Sequence, residues 1–348
     1  MHPPTRHPTR FASGLDLAEL PWFELRDGRL VRDPSLGPAI DVHTHLALSF
    51  IRQDTVDLSA APRPAEHYLP VDAALDLEVY ANRNFTPEHM KAMKLDLGLK
   101  GVLGLEGMRD THTAPNLVRE MEELGIVAAV LLPIDLPVIS RNAEAFLEAA
   151  DRHAPLVGFG SVHPFEEDYA GRLERQKRAG ARGVKIHPAV QMLPPDHPRA
   201  MEVYRTCGEL GLPVFWHCGP VDIEGRWGRY CSQLKHYWRA VQAFPDTTFV
   251  LGHSGAMQLD QGIELARMYP NVWCEIASQS VAHVGRLIEE VPIERVMFGT
   301  DWPFYHQAAG LAKVLIATED KPTERAMLLH QNAMRLLNLD PASVGLAA

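Results

Sequence analysis

Short apolar runs alternate with longer amphipathic segments from about residue 39 onward. Eight runs have the length and composition of strands, namely 39–45, 126–132, 156–163, 183–187, 213–217, 248–253, 271–276 and 295–301. The run 126–132 is apolar throughout, which is typical of a parallel strand buried on both faces. Helices are predicted at about 86–98, 113–125, 141–152, 166–179, 198–210, 231–243, 258–269, 281–290 and 323–337. Eight strands in alternation with helices predict an α/β fold, a closed (β/α)8 TIM barrel.

An open, doubly wound sheet is the rival architecture for such an alternation. Doubly wound domains that bind nucleotides carry a glycine-rich loop after a strand. The sequence has neither a Gly-x-Gly-x-x-Gly motif after a strand nor a phosphate loop. The barrel is therefore the preferred prediction.

An N-terminal extension precedes the alternating part of the chain. Residues 1–20 predict a loosely ordered arm. Phe23–Arg26 and Arg29–Arg32 flank an Asp-Gly dipeptide, which predicts a hairpin with a tight turn. We therefore assign residues 1–37 to the extension and residues 38–348 to one catalytic barrel domain.

A long loop, 46–85, follows the first predicted strand. It contains Pro62, Pro64 and Pro70 and has weak periodicity. Loops of this length in a compact domain are usually functional or disordered. Because it starts directly at the end of the strand, we expect it to act as a lid.

Composition narrows the class of protein. Of the 348 residues, 46% are hydrophobic and 22% are charged, which is ordinary for a globular protein with a substantial core. The net charge of −10 argues against a nucleic-acid partner, because a phosphate-backbone binder needs a basic surface. No signal-peptide region or membrane-spanning apolar run is visible. The four cysteines form no Cys-x-x-Cys pair, so a reducing, cytoplasmic location is expected.

Polar chemistry concentrates at the ends of the predicted strands. His43 and His45 lie on the same strand face as Asp41, since side chains alternate across a strand. Later strands end in His163, in Lys185 and His187, in His217, in His253 and in Asp301. In a (β/α)8 barrel the carboxyl ends of all strands meet at one mouth. Imidazole and carboxylate groups gathered there predict a site for a divalent metal ion.

These motifs together resemble the amidohydrolase superfamily. The features are Asp-x-His-x-His over 41–45, a histidine ending the fifth and sixth strands, and Gly-Thr-Asp-Trp-Pro over 299–303. The segment 331–337 is also similar to the family's Asn-Ala-x-Arg-Leu. The resemblance covers about 38–338. It is to the amidohydrolase-related (amidohydrolase 2) proteins, which include metal-dependent hydrolases, lactonases and nonoxidative decarboxylases.

The resemblance implies a role for each residue. His43, His45 and Asp301 would bind the more buried metal ion, and His217 is a ligand in both one-metal and two-metal members. His253 would be either a ligand of a second ion or a catalytic histidine that contacts the substrate. Lys185 stands where two-metal members carry a carboxylated lysine. The implied cofactor is one or two divalent ions, with Zn²⁺ expected and Mn²⁺ as the alternative.

Several residues at the mouth keep a second interpretation. Lys185 either bridges two ions as a carbamate or pairs with a carboxylate. In the second case His187 replaces it as the polar group that reaches the mouth. His163 is expected to be a hydrogen-bonded histidine rather than a ligand. Cys218 points to the opposite face from His217 and is expected to serve packing.

Two loops suggest the substrate. The loop after the fifth strand contains Arg226, Trp227, Arg229 and Tyr230, and the loop after the eighth contains Trp302, Phe304, Tyr305 and His306. Arginines and aromatic residues at a barrel mouth suit a carboxylated or aromatic small molecule. The alternative is that both arginines are solvated surface charges. Besides the substrate, the expected partner is a second copy of the chain, in a homodimer.

These features predict a metal-dependent hydrolase of an amide, ester or lactone. Metal-activated water would attack the substrate, with Asp301 as general base. The alternative function is a metal-dependent nonoxidative decarboxylase of an unsaturated or aromatic acid. A third is a metal-binding barrel without catalysis. Lys185 favours the hydrolase, because the decarboxylases of this family work with one metal and lack that lysine.

Overall fold

A computed structural model describes residues 6–48, 56–61, 63–136 and 140–344 of the chain. Its strands are β1 (Arg10–Phe11), β2 (Phe23–Arg26), β3 (Arg29–Arg32), β4 (Ala39–Thr44), β5 (Leu75–Asp76), β6 (Ile126–Leu131), β7 (Leu156–Gly158), β8 (Gly160–Ser161), β9 (Val184–Ile186), β10 (Val214–His217), β11 (Phe249–Gly252), β12 (Val272–Glu275) and β13 (Val296–Met297). The α-helices are α1 (Pro87–Leu95), α2 (Gly101–Leu103), α3 (Ala114–Leu124), α4 (Asn142–Arg152), α5 (Tyr169–Arg178), α6 (Pro198–Glu209), α7 (Arg226–Cys231), α8 (Trp238–Ala243), α9 (Leu259–Met268), α10 (Val281–Glu290), α11 (Gln307–Ala317), α12 (Pro322–Ala326) and α13 (Asn332–Leu337).

Two parallel ladders form the wall of the barrel. One runs β4–β6–β7 and the other runs β8–β9–β10–β11–β12–β13. Every residue of β4, β10 and β11 is buried, which explains why these strands are apolar up to their polar ends.

The chain itself joins the two ladders at the first seam, between β7 and β8, and a hydrogen bond joins them at the second. At the first seam, Phe159 N–H donates to the Leu131 carbonyl (3.2 Å) and Gly160 N–H donates to the Gly183 carbonyl (2.8 Å). At the second seam, Val42 N–H donates to the Phe298 carbonyl (3.0 Å). The predicted (β/α)8 barrel is thereby confirmed.

Some predicted elements differ in detail. The strand expected at 156–163 is two short strands, because consecutive N–H groups at Phe159 and Gly160 point to opposite neighbours. The helix expected over 231–243 is interrupted, since Leu234 N–H donates to the Gln258 side chain (2.9 Å) rather than to a helical carbonyl. Helix α11 was not predicted, because most of its residues are buried and it lacks an amphipathic period.

The N-terminal prediction was half right. The hairpin of β2 and β3 is confirmed, and both turn residues have positive φ, 49° at Asp27 and 75° at Gly28, as its tight turn requires. Residues 6–20 are not a loose arm, because β1 pairs with β5 and Leu17 is buried. The division of the chain at residue 37 stays a prediction.

The long loop is only partly described, because 49–55 and 62 lie outside the described residues. Its later part is well packed, with Tyr68 and Leu77 buried. A short 3-10 turn, Ala81–Asn84, brings Tyr80 and Asn82 to the mouth of the barrel. None of the described helices is long and apolar enough to cross a membrane.

Candidate metal centre

The predicted site residues converge on one cavity at the carboxyl ends of the barrel strands. The cavity has a volume of about 440 Å³. Its lining includes His43, His45, Lys185, His187, His217, His253 and Asp301. All of the metal-site residues that the sequence predicted are therefore brought together.

The Asp301 carboxylate lies closest to the two histidines of the first barrel strand. Its Oδ1 atom is 3.3 Å from His45 Nε2 and 3.5 Å from His43 Nε2. Ligand atoms about 2.1 Å from a shared ion are roughly 3.0–3.4 Å from one another. One ligand atom each from His43, His253 and Asp301 also lies within 4.8 Å of the others. This spacing suits a metal centre.

The ring hydrogen bonds leave the inward nitrogens free. His45 Nδ1 is 2.6 Å from the Leu132 carbonyl and His253 Nδ1 is 3.3 Å from the Ala277 carbonyl. Because a carbonyl only accepts, each Nδ1 carries the proton and each Nε2 keeps its lone pair. His43 Nδ1 makes the equivalent bond to Glu275 Oε1 at 2.8 Å.

Burial keeps the imidazoles of His43, His217 and His253 neutral. It lowers the pKa of His43 and of His217 well below the ordinary value, and the nearby Lys185 charge acts in the same direction. Burial also lowers the pKa of His253 to about 4. Neutral imidazole is the form that binds a metal ion.

His217 tests whether the residues fit such an ion. Its Nε2 is buried and has no hydrogen-bond partner among the described residues, while its carbonyl accepts from Tyr237 Oη at 2.6 Å. A buried polar atom without a partner is costly, and a cation in the cluster would satisfy it. Three imidazoles and a carboxylate are a common ligand set for zinc and also suit manganese. The residues therefore fit a divalent ion.

Lys185 lies at the floor of the cavity, with no exposed surface. Its Nζ is 3.5 Å from His43 Nε2 and 4.7 Å from the centre of the Phe215 ring. Burial lowers its pKa, so the amine shifts toward the neutral form that carbamate formation requires.

His187 is less suited to bind the ion. Its ring stacks on His217 at 4.0 Å between centroids. Its Nδ1 accepts from Val190 N–H at 3.3 Å, a donor that it shares with its own carbonyl at 3.1 Å. In the neutral ring Nε2 then carries the proton, the reverse of His45 and His253.

Two other sequence interpretations agree with the structure. His163 Nε2 is 3.0 Å from the Gln191 carbonyl, so this histidine is hydrogen bonded as expected. Cys218 is fully buried and does not line the cavity. Both side chains therefore have packing or hydrogen-bonding roles.

Sequence reasoning missed Glu275, a fully buried carboxylate at the end of β12. It accepts hydrogen bonds from His43 Nδ1, from His253 N–H, and from Ala277 N–H at 2.7 Å. Burial raises its pKa, and the Asp301 charge acts in the same direction. The available signal was a single charged residue near the end of an otherwise apolar run.

Asp41 does not point at the ion site. Its carboxylate accepts from Thr300 N–H at 3.0 Å and from Gln307 Nε2 at 2.6 Å, and so joins the first barrel strand to the segment that follows the last. Asp41 therefore supports the segment that presents Asp301.

Asp301 and His253 both have positive φ, 67° and 59°, a conformation that is costly for these residues and frequent at functional sites.

The predicted substrate loops contribute little to the cavity. Among the residues expected there, Phe304 lines it, but the Arg226, Trp227, Arg229 and Tyr230 side chains do not. Arg229 pairs with Asp222, and Trp227 Nε1 donates to the Met192 carbonyl at 3.0 Å. Trp302 is fully buried against Glu120, to which its Nε1 donates at 3.1 Å. Arg226 and Arg229 are exposed, which agrees with the alternative interpretation that both are surface charges.

Solved structures show the same fold. An uncharacterised TIM-barrel protein from Bordetella bronchiseptica matches with a TM-score of 0.60 and 20% identity over 89% of this chain and 100% of that chain. A probable 2-pyrone-4,6-dicarboxylic acid hydrolase from Acinetobacter baumannii, with citric acid bound, matches at 0.56 and 14% identity over 86% and 99%. A 5-carboxyvanillate decarboxylase from Novosphingobium aromaticivorans, complexed with manganese, matches at 0.53 and 17% identity over 64% and 79%.

The family is shown by the sequence itself. No curated protein sequence matches the chain. A family model described as Amidohydrolase, however, matches residues 40–339, which span nearly the whole barrel and all the metal-site residues above. The chain therefore belongs to the amidohydrolase family, as its strand-end motifs predicted.

Proposed function

We propose that this amidohydrolase-family protein is a metal-dependent hydrolase of an amide, ester or lactone bond in a small molecule. The observation that carries the proposal is the position of Asp301. Its Oδ1 lies within 3.5 Å of two metal-competent imidazole nitrogens, while 14% of its side chain stays exposed. A carboxylate with both properties suits a general base at the floor of a substrate cavity.

The ion would be held by His43, His45, His217 and Asp301, and it would be zinc or manganese. When bound, it supplies Lewis acidity that polarises a carbonyl group and acidifies water. Glu275 and the Leu132 carbonyl fix the orientation of the first two rings through their Nδ1 atoms.

Asp301 would move the proton. It accepts a proton from the water whose oxygen attacks the substrate carbonyl carbon, and then returns that proton to the leaving nitrogen or oxygen as the carbon–heteroatom bond breaks. His253 Nε2 keeps a lone pair beside His43, with 4.7 Å between their ring centroids. His253 therefore either binds a second ion or acts on the substrate directly.

Decarboxylation of an unsaturated or aromatic acid is the second candidate function. It is favoured by the fold shared with 5-carboxyvanillate decarboxylase and with 2,6-dihydroxybenzoate decarboxylase. Lys185 favours the hydrolase, since a carboxylated Lys185 would supply two oxygens to two ions. The number of ions therefore separates the two candidates.

We expect Lys185→Ala to lose one metal equivalent and most activity, with partial rescue by added propionate. The reason is that a carbamate at Lys185 would bridge two ions, and a small carboxylate can occupy the space left by the side chain. Metal content and turnover measured together test this. Lys313→Ala is the matched control, because Lys313 is also buried (4% exposed), burial lowers its pKa to about 8, and it does not line the cavity. Unchanged metal content and activity in Lys185→Ala would indicate a one-metal site and strengthen the decarboxylase.

The reaction itself is tested with a substrate panel. Lactones, amides and esters are compared with carboxylated aromatic acids, using metal-stripped and metal-loaded protein. We expect hydrolysis only with metal, and a loss in kcat of about 10²–10⁴-fold in Asp301→Asn, because the amide cannot accept the proton. Carbon dioxide release from an acid without any hydrolysis would overturn the proposal.

A further inference from the structure

The cavity above the metal centre has two kinds of surface. Its floor is the histidine cluster with Lys185 and Asp301. Its walls are mostly apolar and come from several different elements, namely Leu48, Met93, Leu97, Ile134, Val190 and Phe304. A ligand that fills this space must place most of its own surface against hydrocarbon.

Positive charge is scarce on these walls. No arginine lines the cavity among the described residues, and the lysine besides Lys185 is Lys94, an exposed residue at the rim. Glu224, also at the rim, already accepts from Val221 N–H and Ile223 N–H, both at 2.9 Å. An anionic group placed against the part of the walls that the structure describes would therefore lose hydration without gaining a buried partner.

Tyr80 offers the cavity an open hydrogen-bond donor. Its side chain lines the cavity, the residue is 8% exposed, and its hydroxyl has no hydrogen-bond partner among the described residues. The neighbouring Asn82 differs, because its amide donates to the Val221 carbonyl at 2.8 Å and its oxygen accepts from Tyr305 Oη. A buried hydroxyl without a partner is costly, so a ligand oxygen is the expected acceptor.

The charge around Tyr80 keeps its proton in place. Burial raises the pKa of the phenol well above its ordinary value, and the charges of Tyr305 and Asp301 act in the same direction, while the Ser278 side chain, which lies near the phenol without hydrogen-bond geometry, opposes them. Tyr80 is therefore a donor throughout the working pH range. Tyr80 and Asp301 line the same cavity, so one ligand in this space can contact both residues.

We infer that the site takes an uncharged, largely apolar carbonyl compound, and that Tyr80 donates a hydrogen bond to the substrate's carbonyl oxygen. This inference rests on the proposed hydrolase function, within which it selects neutral esters and lactones over substrates with a carboxylate remote from the reacting bond. Tyr80 contacts the reacting carbonyl group, and the apolar walls bind the rest of the substrate.

The first test removes the hydroxyl. Tyr80→Phe is expected to lower kcat/KM for a neutral alkyl lactone by about 10- to 100-fold, with metal content unchanged. Tyr204→Phe is the matched control, because the Tyr204 hydroxyl is also buried without a partner but does not line the cavity. Equal activity in Tyr80→Phe and the parent protein would overturn the role of Tyr80.

The second test varies the substrate charge. An alkyl lactone is compared with the same lactone carrying a carboxylate at the end of its alkyl chain. We expect kcat/KM to be at least about 10-fold higher for the neutral compound, because the carboxylate finds no buried partner among the described lining residues. A preference for the carboxylated lactone that disappears in Lys94→Met would overturn the inference and assign substrate selection to Lys94.

Binding separates this inference from the proposed reaction. Calorimetry with a cyclic alkyl ketone, which the protein cannot hydrolyse, measures occupancy of the cavity without turnover. We expect the ketone to bind the metal-loaded protein and to bind at least about 10-fold more weakly to Tyr80→Phe. Ketone binding without any hydrolysis in the substrate panel would overturn the hydrolase and keep the neutral-ligand site. Hydrolysis in the substrate panel, together with equal ketone binding to Tyr80→Phe and to the parent protein, would keep the hydrolase and overturn the role of Tyr80.

Discussion

Replacing His43 and His45 together by alanine is expected to abolish stoichiometric metal binding. Their Nε2 atoms are the two imidazole nitrogens closest to Asp301 Oδ1, at 3.5 and 3.3 Å. Removing both leaves an ion with too few ligands for the four-coordinate geometry common in zinc sites. Elemental analysis of the purified parent protein should show at least about one divalent ion per chain, and the double variant should show close to none.

The control for this experiment is another histidine near a strand end. His163→Ala removes an imidazole whose Nε2 lies near the Gln191 carbonyl and which does not line the cavity. It should therefore keep the full metal content. Retention of metal in the double variant would contradict the assignment of this centre, and loss of metal in both variants would indicate a general folding defect.

Glu275→Ala is expected to have the second largest effect, on both stability and metal affinity. The change leaves His43 Nδ1–H, His253 N–H and Ala277 N–H without their buried acceptor. A buried donor that loses its partner costs about 1–3 kcal/mol, so the free energy of unfolding should fall by about 3 kcal/mol or more. Metal affinity should fall by about 10- to 100-fold, because His43 loses the group that fixes its tautomer and orientation.

Glu224→Ala is the comparison for Glu275→Ala. Glu224 also accepts from two backbone N–H groups, of Val221 and Ile223, but has no hydrogen bond to a site histidine. Chemical denaturation and metal titration of both variants distinguish a general loss of backbone hydrogen bonds from a specific effect on the metal centre. Equal metal affinity in the two variants would remove Glu275 from the support of the site.

The barrel and the gathering of histidines at its mouth were predictable from the sequence. Each strand is a short apolar run because both of its faces are buried, and His217 and Asp301 stand at or just beyond the end of such a run. A parallel barrel brings all these ends to one place, whatever the loops do. The identity of the site residues therefore depended on local pattern and topology alone, and the family match over 40–339 agrees with it.

The contacts that decide chemistry depended on residues far apart in the chain. The lone pair of His43 faces inward because Glu275, 232 positions away, accepts its other ring proton. Tyr80 reaches the cavity through a loop turn whose packing shows no periodic signal in the sequence. Trp302, which the sequence suggested as a substrate contact, instead donates to Glu120, and Arg229, for which two interpretations were open, pairs with Asp222.

The physical reason for this division is the range of the forces involved. Burial on one or both faces imposes a short repeat that is visible along the chain, so strands, most helices and strand-end residues are determined locally. Contacts between side chains that are distant in the sequence determine the rest. They set the tautomer of a histidine, the pairing of a buried hydroxyl and the sign of charge on a cavity wall. These contacts form only when the barrel closes. It closes at the seam where Val42 N–H donates to the Phe298 carbonyl and Asp301 N–H donates to the His43 carbonyl.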